Sequence, residues 1–283
     1  MRWVGLLSLT PDMTAFVSQE DGLPSGTVAV INCSGQNVLD PLYRWNESFK
    51  QEVYTSRVNT NRILAEAITN SPEKPACFVH MSGVGFYPAD QVAGQEGRQE
   101  DSPGGDQDWL ARLVVDWEAA AQLPPHLNTR VVSLRAGVVL GRRGGMVQQI
   151  LPPFFLGLGG RMGAGDQVMP WVHVKDVAGL MAHCVASQDC AGVYNAVAPQ
   201  LITNNTFVRT FAGELNRPAI FPLPEFVWRI IFGQERANMI CQSQTVLPRR
   251  ALESGFKFAF PTIKEASEEF AHLAYIDPDD ESL

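Results

Sequence analysis

The chain has 283 residues, and its 22 lysines and arginines against 30 aspartates and glutamates give a net charge of −8. This charge offers no basic field for a phosphate backbone, so we expect no nucleic-acid partner. No apolar run approaches the roughly 18 residues of a membrane-spanning helix, so we expect no membrane partner. The five cysteines form no CxxC pair and the five histidines no ligand cluster. This pattern indicates free thiols in a reducing compartment and no structural metal.

Short apolar runs alternate with longer amphipathic stretches along the first part of the chain. The runs predict strands, buried on both faces, at 28–32, 76–81, 130–135 and 192–197. The amphipathic stretches predict helices at about 42–69, 106–122 and 175–187. Strands and helices that alternate in this way are typical of right-handed crossovers and of a parallel sheet covered on both faces. The predicted fold class is therefore α/β.

Three of the predicted strands end in short stretches that contain a glycine. The stretch VAVINCSGQN at 28–37 ends its apolar run in small polar residues with a glycine, and Met81-Ser82-Gly83 and Arg135-Ala136-Gly137 stand at the ends of the strands at 76–81 and 130–135. In a parallel sheet the ligand crevice lies at the carboxyl ends of the strands. We therefore place the candidate site at these three strand ends.

The alternation of short apolar runs with longer amphipathic stretches ends at about residue 199. Thr203 is a predicted N-cap for a helix that runs to about Leu215, and prolines interrupt the chain after it. We divide the chain into a main domain, 1–198, and a smaller, mostly helical substrate or cap region, 199–283.

Five longer segments carry a resemblance to a known family. They are INCSGQNVLDPLYRWNESFKQEVYTSRV, SGVGFY, EDSPGGDQDWLARLVVDWEAAA, LRAGVVLGRRGGM and LPPFFLGLGGRMGAGDQVMPWVHVKDVAGL. Two later segments, VYNAVAP and RANMICQSQTVLPRRALESGFKFAFP, look like the end of the same family. Together they resemble the atypical short-chain dehydrogenase/reductases, specifically the NAD(P)-dependent epimerase-family proteins with a distinctive C-terminal domain.

The resemblance implies a Rossmann-type NAD(P)-binding fold for 1–198, with NADP as the expected cofactor and NAD as the alternative. In this family the strand that ends in Asn-x-x-Gly passes under the dinucleotide, where small side chains let the backbone approach the ribose and nicotinamide. The residues that the resemblance assigns to the cofactor are Asn32, Cys33, Ser34, Gly35, Glu52, Arg57 and Val139. The alternative for these residues is structural, as core filler at Cys33 and Val139 and as a solvated helix pair at Glu52 and Arg57.

One family feature, the first βαβ unit, is not recognised in this sequence. The family opens with a strand, a glycine-rich turn and a helix that hold the pyrophosphate. Only 27 residues precede Val28, and the glycines at 157–165 follow no buried strand. We therefore expect this unit to be missing or replaced, the strand at 28–32 to be an edge, and MRWVGLLSL or TAFVS to supply a partial substitute strand. The segment 157–165 is interpreted as a mobile loop near the substrate, or as an ordinary surface loop.

A second departure concerns proton transfer. Short-chain dehydrogenases commonly use a Tyr with a Lys four residues on, but none of the five tyrosines here has a Lys at that offset. Leu110 and Val114 occupy the equivalent places. Ser82 matches the family's hydroxyl position and is predicted to hydrogen-bond a substrate carbonyl. Tyr87 is the candidate catalytic acid, and packing under the 83–105 loop is its structural alternative.

Two functional hypotheses follow. The first is an NADP(H)-binding short-chain dehydrogenase or epimerase-like oxidoreductase with an unknown small-molecule substrate, located by default in the cytoplasm and alternatively in the mitochondrion. The second is a shortened, catalytically inactive relative that acts as an interaction or regulatory protein. The sequence does not decide between them, and it leaves the oligomeric state open.

Overall fold

The computed structural model describes residues 22–40, 42–90 and 96–271, together with the backbone of two short strands near the N terminus. The strands are β1 Val4–Leu7, β2 Thr14–Val17, β3 Ala29–Asn32, β4 Cys77–Gly83, β5 Arg130–Ala136, β6 Val138–Leu140, β7 Val168–Met169, β8 Trp171–His173, β9 Gly192–Ala196 and β10 Ile202–Thr203. The α-helices are α1 Glu47–Tyr54, α2 Thr60–Asn70, α3 Trp109–Ala119, α4 Gly145–Phe155, α5 Val174–Ala186, α6 Asn204–Glu214, α7 Glu225–Phe232, α8 Gln234–Cys241, α9 Arg249–Glu253 and α10 Ile263–Phe270. Residues 272–283, the end of the C-terminal region, lie outside the described residues.

A four-stranded parallel sheet in the order β3-β4-β5-β9 forms the centre of the molecule. Each apolar run that predicted a strand becomes one of these four, with bounds that agree to within two residues. The connections between the strands contain the helices α1 to α5. The predicted α/β fold class with a parallel sheet is therefore confirmed.

Helices cover both faces of this sheet because successive strand residues point to opposite sides. On one face, Val30 and Phe78 pack against Leu64 of α2. On the other face, Val79 packs in a cluster with Leu180 of α5. Strands buried on both faces explain why the four runs are apolar nearly throughout.

The long helix predicted over 42–69 is divided into two α-helices. α1 begins at Glu47, where the Asn46 side chain accepts a hydrogen bond from the Phe49 amide at 2.9 Å. A π-helical segment, Thr55–Asn59, then joins α1 to α2. Such wider turns are frequent at functional sites. This one carries Arg57.

β3 is the outer strand of the four-stranded sheet, as the sequence predicted. β1 and β2 pair antiparallel as a separate hairpin, and Cα atoms of β1 approach those of β3 within 8 Å. The hairpin strands fall within the two segments that were expected to supply a substitute strand. The hairpin therefore lies beside the β3 edge as a sheet of its own.

The C-terminal region begins with the predicted helix cap and is joined to the main domain through a buried carboxylate. The Thr203 hydroxyl accepts a hydrogen bond from the Thr206 amide at 3.2 Å, which confirms the predicted N-cap of α6. Asp176, in the first turn of α5, accepts hydrogen bonds from the amides of Ala259 and Phe260 at 2.6 and 3.0 Å.

Among the described residues, no helix combines the length and apolar character that crossing a membrane requires.

The glycine-rich segment 157–165 packs closely against the chain at 220–223. Gly159 and Gly160 are buried, and the carbonyl of Gly159 accepts a hydrogen bond from the Phe221 amide at 3.1 Å. A Cβ atom on Gly160 would collide with the Phe221 carbonyl. The expectation of a mobile or ordinary surface loop is therefore wrong, because these glycines serve the close approach of two backbone segments.

A row of buried polar side chains crosses the sheet on the face covered by α2. Asn32 donates a hydrogen bond to Asn61 Oδ1 at 2.7 Å, and Asn61 Nδ2 lies 3.1 Å from His80 Nδ1. His80 Nε2 lies 2.7 Å from Ser133 Oγ. All four side chains are buried. Because buried polar groups are costly unless they are paired, this row fixes β3, β4, β5 and α2 relative to one another.

The stability of this fold should depend on pH through His80. Burial lowers the pKa of His80 to about 4, so the folded ring stays neutral where an unfolded histidine, with its ordinary value of 6.5, takes up a proton. The contribution of His80 to stability is therefore complete above pH 6.5 and is lost as the pH falls towards 4. We expect a loss of roughly 3 kcal/mol in the free energy of unfolding, measured by urea denaturation.

The substitution His80→Gln should remove this part of the pH dependence. His126, an exposed histidine in the loop after α3, offers a matched control, and His126→Gln should keep the wild-type dependence. Parallel pH curves for wild type and His80→Gln would contradict the assignment.

Candidate functional site

The strand-end turn, residues 32–36, is fixed by three polar contacts. Asn32 Oδ1 accepts a hydrogen bond from the Ser34 amide at 2.9 Å. The Ser34 hydroxyl donates to the Ser56 carbonyl at 3.2 Å, and the Gln36 amide donates to the Ser56 hydroxyl at 2.9 Å. Asn32 thus belongs both to the polar row within the sheet and to the start of the turn. Ser56 of the π-helical segment holds the end of the turn at Gln36.

Arg57 lies directly against this turn. A Cβ atom on Gly35 would lie 3.0 Å from Cζ of Arg57. A residue with a side chain at position 35 would therefore require the guanidinium to shift. Arg57 Nη1 donates to the carbonyls of Gln36 and Val53 at 2.9 and 3.4 Å, and the guanidinium lies 5.0 Å from the ring centre of Trp117.

The charge of Arg57 has no neutralising partner within the described part of the chain. No carboxylate there lies within ion-pair distance, and Nε and Nη2 donate to none of its acceptors. Burial lowers the pKa of Arg57 to about 10, since the charged form gains no compensating anion. A half-buried cation of this kind is suited to bind an anionic group.

The other residues predicted to bind the cofactor lie in different surroundings. Cys33 is exposed within the strand-end turn, and its thiol is 3.7 Å from Met181 Sδ on α5. Glu52 is exposed on α1, five residues before Arg57. Val139 is half-buried in β6, opposite Val172 of β8, and packs against the cluster on the α5 face. Their roles in cofactor binding stay predictions.

Ser82, at the carboxyl end of β4, belongs to a second row of polar side chains. Its hydroxyl donates a hydrogen bond to Glu118 Oε1 at 2.6 Å. Glu118 in turn accepts two hydrogen bonds from Arg135, from Nε at 2.8 Å and from Nη2 at 2.7 Å. Ser82 and Arg135 are direct neighbours in the sheet register, and both are buried.

Tyr87 continues this second row instead of facing an open crevice. Its hydroxyl donates to Asn195 Oδ1 at 2.8 Å and accepts from Arg135 Nη1 at 3.0 Å. The side chain is 1% exposed, and burial raises the pKa of the phenol although Arg135 opposes the shift. The geometry favours the structural alternative for Tyr87, because both bonds of its hydroxyl among the described residues are made to buried protein groups.

The structure thus forms two linked clusters from the predicted residues. Asn32, Ser34, Gly35 and Arg57 meet at the strand-end turn. The second row consists of Ser82, Tyr87, Glu118, Arg135 and Asn195. Of these, Ser82 and Arg135 lie two positions further along β4 and β5 than His80 and Ser133 of the first row.

Sequence analysis assigned no role to several of the residues that build these clusters. They are Asn61, His80, Glu118, Ser133, Arg135 and Asn195. A signal was present in the strands, where polar residues occupy alternate positions of otherwise apolar runs, at 80 and 82 and again at 133 and 135. Because alternate residues share a face, this spacing indicates a polar layer on one side of the sheet.

Two protein-family models match the chain. The NAD dependent epimerase/dehydratase family matches residues 26–196, and a domain of unknown function, DUF1731, matches residues 223–270. The second match contains the helices α7, α8, α9 and α10. The family resemblance predicted from the sequence is confirmed.

Individual relatives and a solved structure agree with these matches. The human epimerase family protein SDR39U1 is 46% identical over 248 residues, which span 88% of this chain and 83% of that protein. A chloroplastic homolog from Arabidopsis thaliana is 32% identical over 243 residues, 85% of this chain and 67% of that protein. The crystal structure of human SDR39U1 isoform 2 with NADPH has a TM-score of 0.86 at 45% identity, covering 89% of this chain and 84% of that one.

The family model covers more than half of the chain, the human relative is similar over most of its length, and the parallel sheet has the matching architecture. The chain belongs to the NAD-dependent epimerase/dehydratase family.

Proposed function

We propose that this chain binds NADPH against the strand-end turn and acts as an atypical oxidoreductase of the epimerase family. The observation that carries the proposal is Arg57, a half-buried guanidinium with two unused donor atoms and no carboxylate partner in the described part of the chain. It lies over Gly35, where a larger side chain would meet it. The similarity to a human protein crystallised with NADPH supports the same choice of ligand.

The residues at the turn suit one part of a dinucleotide. Small side chains at 33–35 allow a flat group to approach the backbone, and Arg57 offers charge to a phosphate or a ribose oxygen. Bound NADPH would supply a hydride at C4 of its nicotinamide ring. We assign the turn and Arg57 to holding the cofactor, with Glu52 and Val139 as further proposed contacts.

Ser82 is the polar group that we propose for the substrate. Its hydrogen is already donated to Glu118, so its oxygen offers lone pairs instead of a proton. A substrate that meets Ser82 in this arrangement would donate a hydrogen bond, as an alcohol does. A carbonyl substrate would require the Ser82 hydroxyl to turn away from Glu118.

The competing hypothesis, an inactive relative, is favoured by one specific observation. Tyr87 is held between Arg135 and Asn195, and a Tyr/Lys pair is absent from the sequence. Under this hypothesis the polar row is a structural element, and the protein acts by binding a partner. Turnover measurements separate the two hypotheses.

Replacement of Arg57 should weaken cofactor binding. The substitution Arg57→Met removes the cation and keeps an unbranched apolar side chain over Trp117. Loss of a charge-assisted hydrogen bond predicts a rise in the Kd for NADPH of about 10- to 100-fold. Isothermal titration calorimetry measures the Kd.

For wild type, NADPH at 100 times its Kd should add about 2.7 kcal/mol to the free energy of unfolding, which corresponds to a rise of a few degrees in Tm.

Arg62 provides the matched control, because it is an exposed arginine on α2 that donates a hydrogen bond to Asn59. Arg62→Met should keep the wild-type Kd. Absence of any NADPH effect on folded wild type would refute the proposed cofactor, whereas equal affinity of wild type and Arg57→Met would refute only the role of Arg57.

Substitutions at Ser82 and Tyr87 should have different consequences. Tyr87→Phe leaves Arg135 Nη1 without its acceptor, so the free energy of unfolding should fall by about 1 to 3 kcal/mol while kcat is unchanged. Ser82→Ala should lower kcat by about 100-fold, with a similar loss of about 1 to 3 kcal/mol in the free energy of unfolding because Glu118 loses a donor. The assays are NADPH oxidation with a panel of carbonyl compounds and NADP+ reduction with the corresponding alcohols.

A loss of kcat in Tyr87→Phe without a loss of stability would restore Tyr87 as the catalytic acid. Folded wild type that binds NADPH and turns over no member of either panel would contradict the oxidoreductase proposal. That outcome would support the inactive relative.

A further inference from the structure

Arg236, on α8 in the C-terminal region, reaches into the segment that leaves the strand-end turn. Its side chain is buried, and its Nη1 donates hydrogen bonds to the carbonyls of Val38 and Asp40 at 3.2 and 3.0 Å. Nη2 donates to the carbonyl of Tyr43 at 2.9 Å. One guanidinium thus holds three carbonyls of the segment 36–46, whose described residues, 36–40 and 42–46, contain no helix or strand.

The remaining surroundings of Arg236 keep it in place. Nε donates to the carbonyl of Phe232 at 2.8 Å, within the same helix pair. The rings of Trp45, Phe49 and Phe232 surround the guanidinium, with centres 5.5, 5.9 and 5.1 Å from its Cζ atom. Aromatic faces and carbonyl oxygens both stabilise a buried cation.

A second contact joins the same helix to the same segment. The indole N–H of Trp45 donates to Glu235 Oε2 at 2.5 Å, and Lys50 of α1 lies 3.2 Å from that oxygen. Burial alone would raise the pKa of Glu235, but the bonds from Trp45 and Lys50 outweigh it and lower the pKa. The carboxylate is therefore stabilised in its charged, bonded form.

The held segment is continuous with the strand-end turn. Gln36 marks the junction, because its carbonyl accepts from Arg57 and its amide donates to Ser56. From Gln36 onward, the chain passes to the three carbonyls that Arg236 holds. A displacement of 38–43 would therefore act on the residues beside Arg57.

We propose that α8 is a clamp on the segment 36–46 and that Arg236 is a positioning residue that sets how long the cofactor stays bound. This inference rests on the proposed binding of NADPH at the strand-end turn. It gives a function to the C-terminal region that matches a domain of unknown function. The region would retain the cofactor by fixing the chain beside it, without contacting the reacting atoms.

Three substitutions test the clamp. Arg236→Met removes the donors and retains an apolar side chain among the rings, and Arg236→Lys keeps the charge without the planar fork. Arg229→Met on α7 is the control, since Arg229 is half exposed and its bonds are to Glu225 in its own helix. Trp45→Phe, which removes the indole donor to Glu235 and leaves a smaller aromatic ring beside Arg236, is the milder variant to use if Arg236→Met does not fold.

Two measurements are made on each protein. Hydrogen exchange of the 36–46 amides, followed by mass spectrometry without cofactor, reports the clamp itself. The dissociation rate of NADPH, followed by stopped-flow fluorescence, reports its function. We expect Arg236→Met to increase both rates at least about tenfold, Arg236→Lys to lie between it and wild type, and Arg229→Met to equal wild type.

Each outcome has a definite meaning. Wild type that binds no NADPH refutes the proposed function, and exchange then shows separately whether the contact restrains the segment. Wild type that binds NADPH, with unchanged exchange in Arg236→Met or Trp45→Phe, overturns the clamp. Faster exchange with an unchanged dissociation rate overturns its role in retaining the cofactor.

Discussion

A buried guanidinium at the carboxyl edge of the sheet sets the arrangement of the residues around it. Arg135 is 4% exposed, and a charge in that position is costly unless it is fully paired. It is paired by two bonds to Glu118 of α3 and one to Tyr87, and its guanidinium lies 3.4 Å from the ring centre of Phe86. These partners fix the ends of three elements, which are β4 through Ser82, α3, and β9 through Asn195.

Arg135 and Arg57 show what a buried arginine looks like with and without an anion. Burial acts to lower the pKa of both side chains. At Arg135 the bonds to Glu118 outweigh burial and raise the pKa, whereas at Arg57 nothing compensates and the pKa falls to about 10. Among the described residues, the difference locates a cation without an anionic partner at the strand-end turn, where the proposed cofactor would bring a ribose or phosphate oxygen.

The central sheet could be predicted from the sequence because each strand is buried on both faces and appears as a local apolar run. The cap at Thr203 could be predicted for the same local reason. The alternate polar positions of β4 and β5 indicate a polar layer, but the partners within the rows could not be predicted, since Asn61 and His80 are 19 residues apart and Tyr87 and Asn195 are 108 apart, distances at which periodicity carries no information. The segment 157–165 was misinterpreted because glycine suits an exposed loop and a close backbone contact equally well.

The polar group that α3 brings to the strand end differs in position from the Tyr/Lys pair that the family commonly uses for proton transfer. Where the Tyr/Lys pair would stand, Leu110 and Val114 present an apolar face, and Val114 would lie 3.8 Å from a Cβ atom on Gly83 at the strand end. The first carboxylate that reaches the sheet from this helix face is Glu118, one turn beyond Val114, and it meets Ser82. Ser82 therefore offers a proposed substrate an oxygen whose own hydrogen is committed to a carboxylate. Such an oxygen accepts a hydrogen bond from a substrate hydroxyl more readily than it donates one, which favours an alcohol over a carbonyl as the compound to test first.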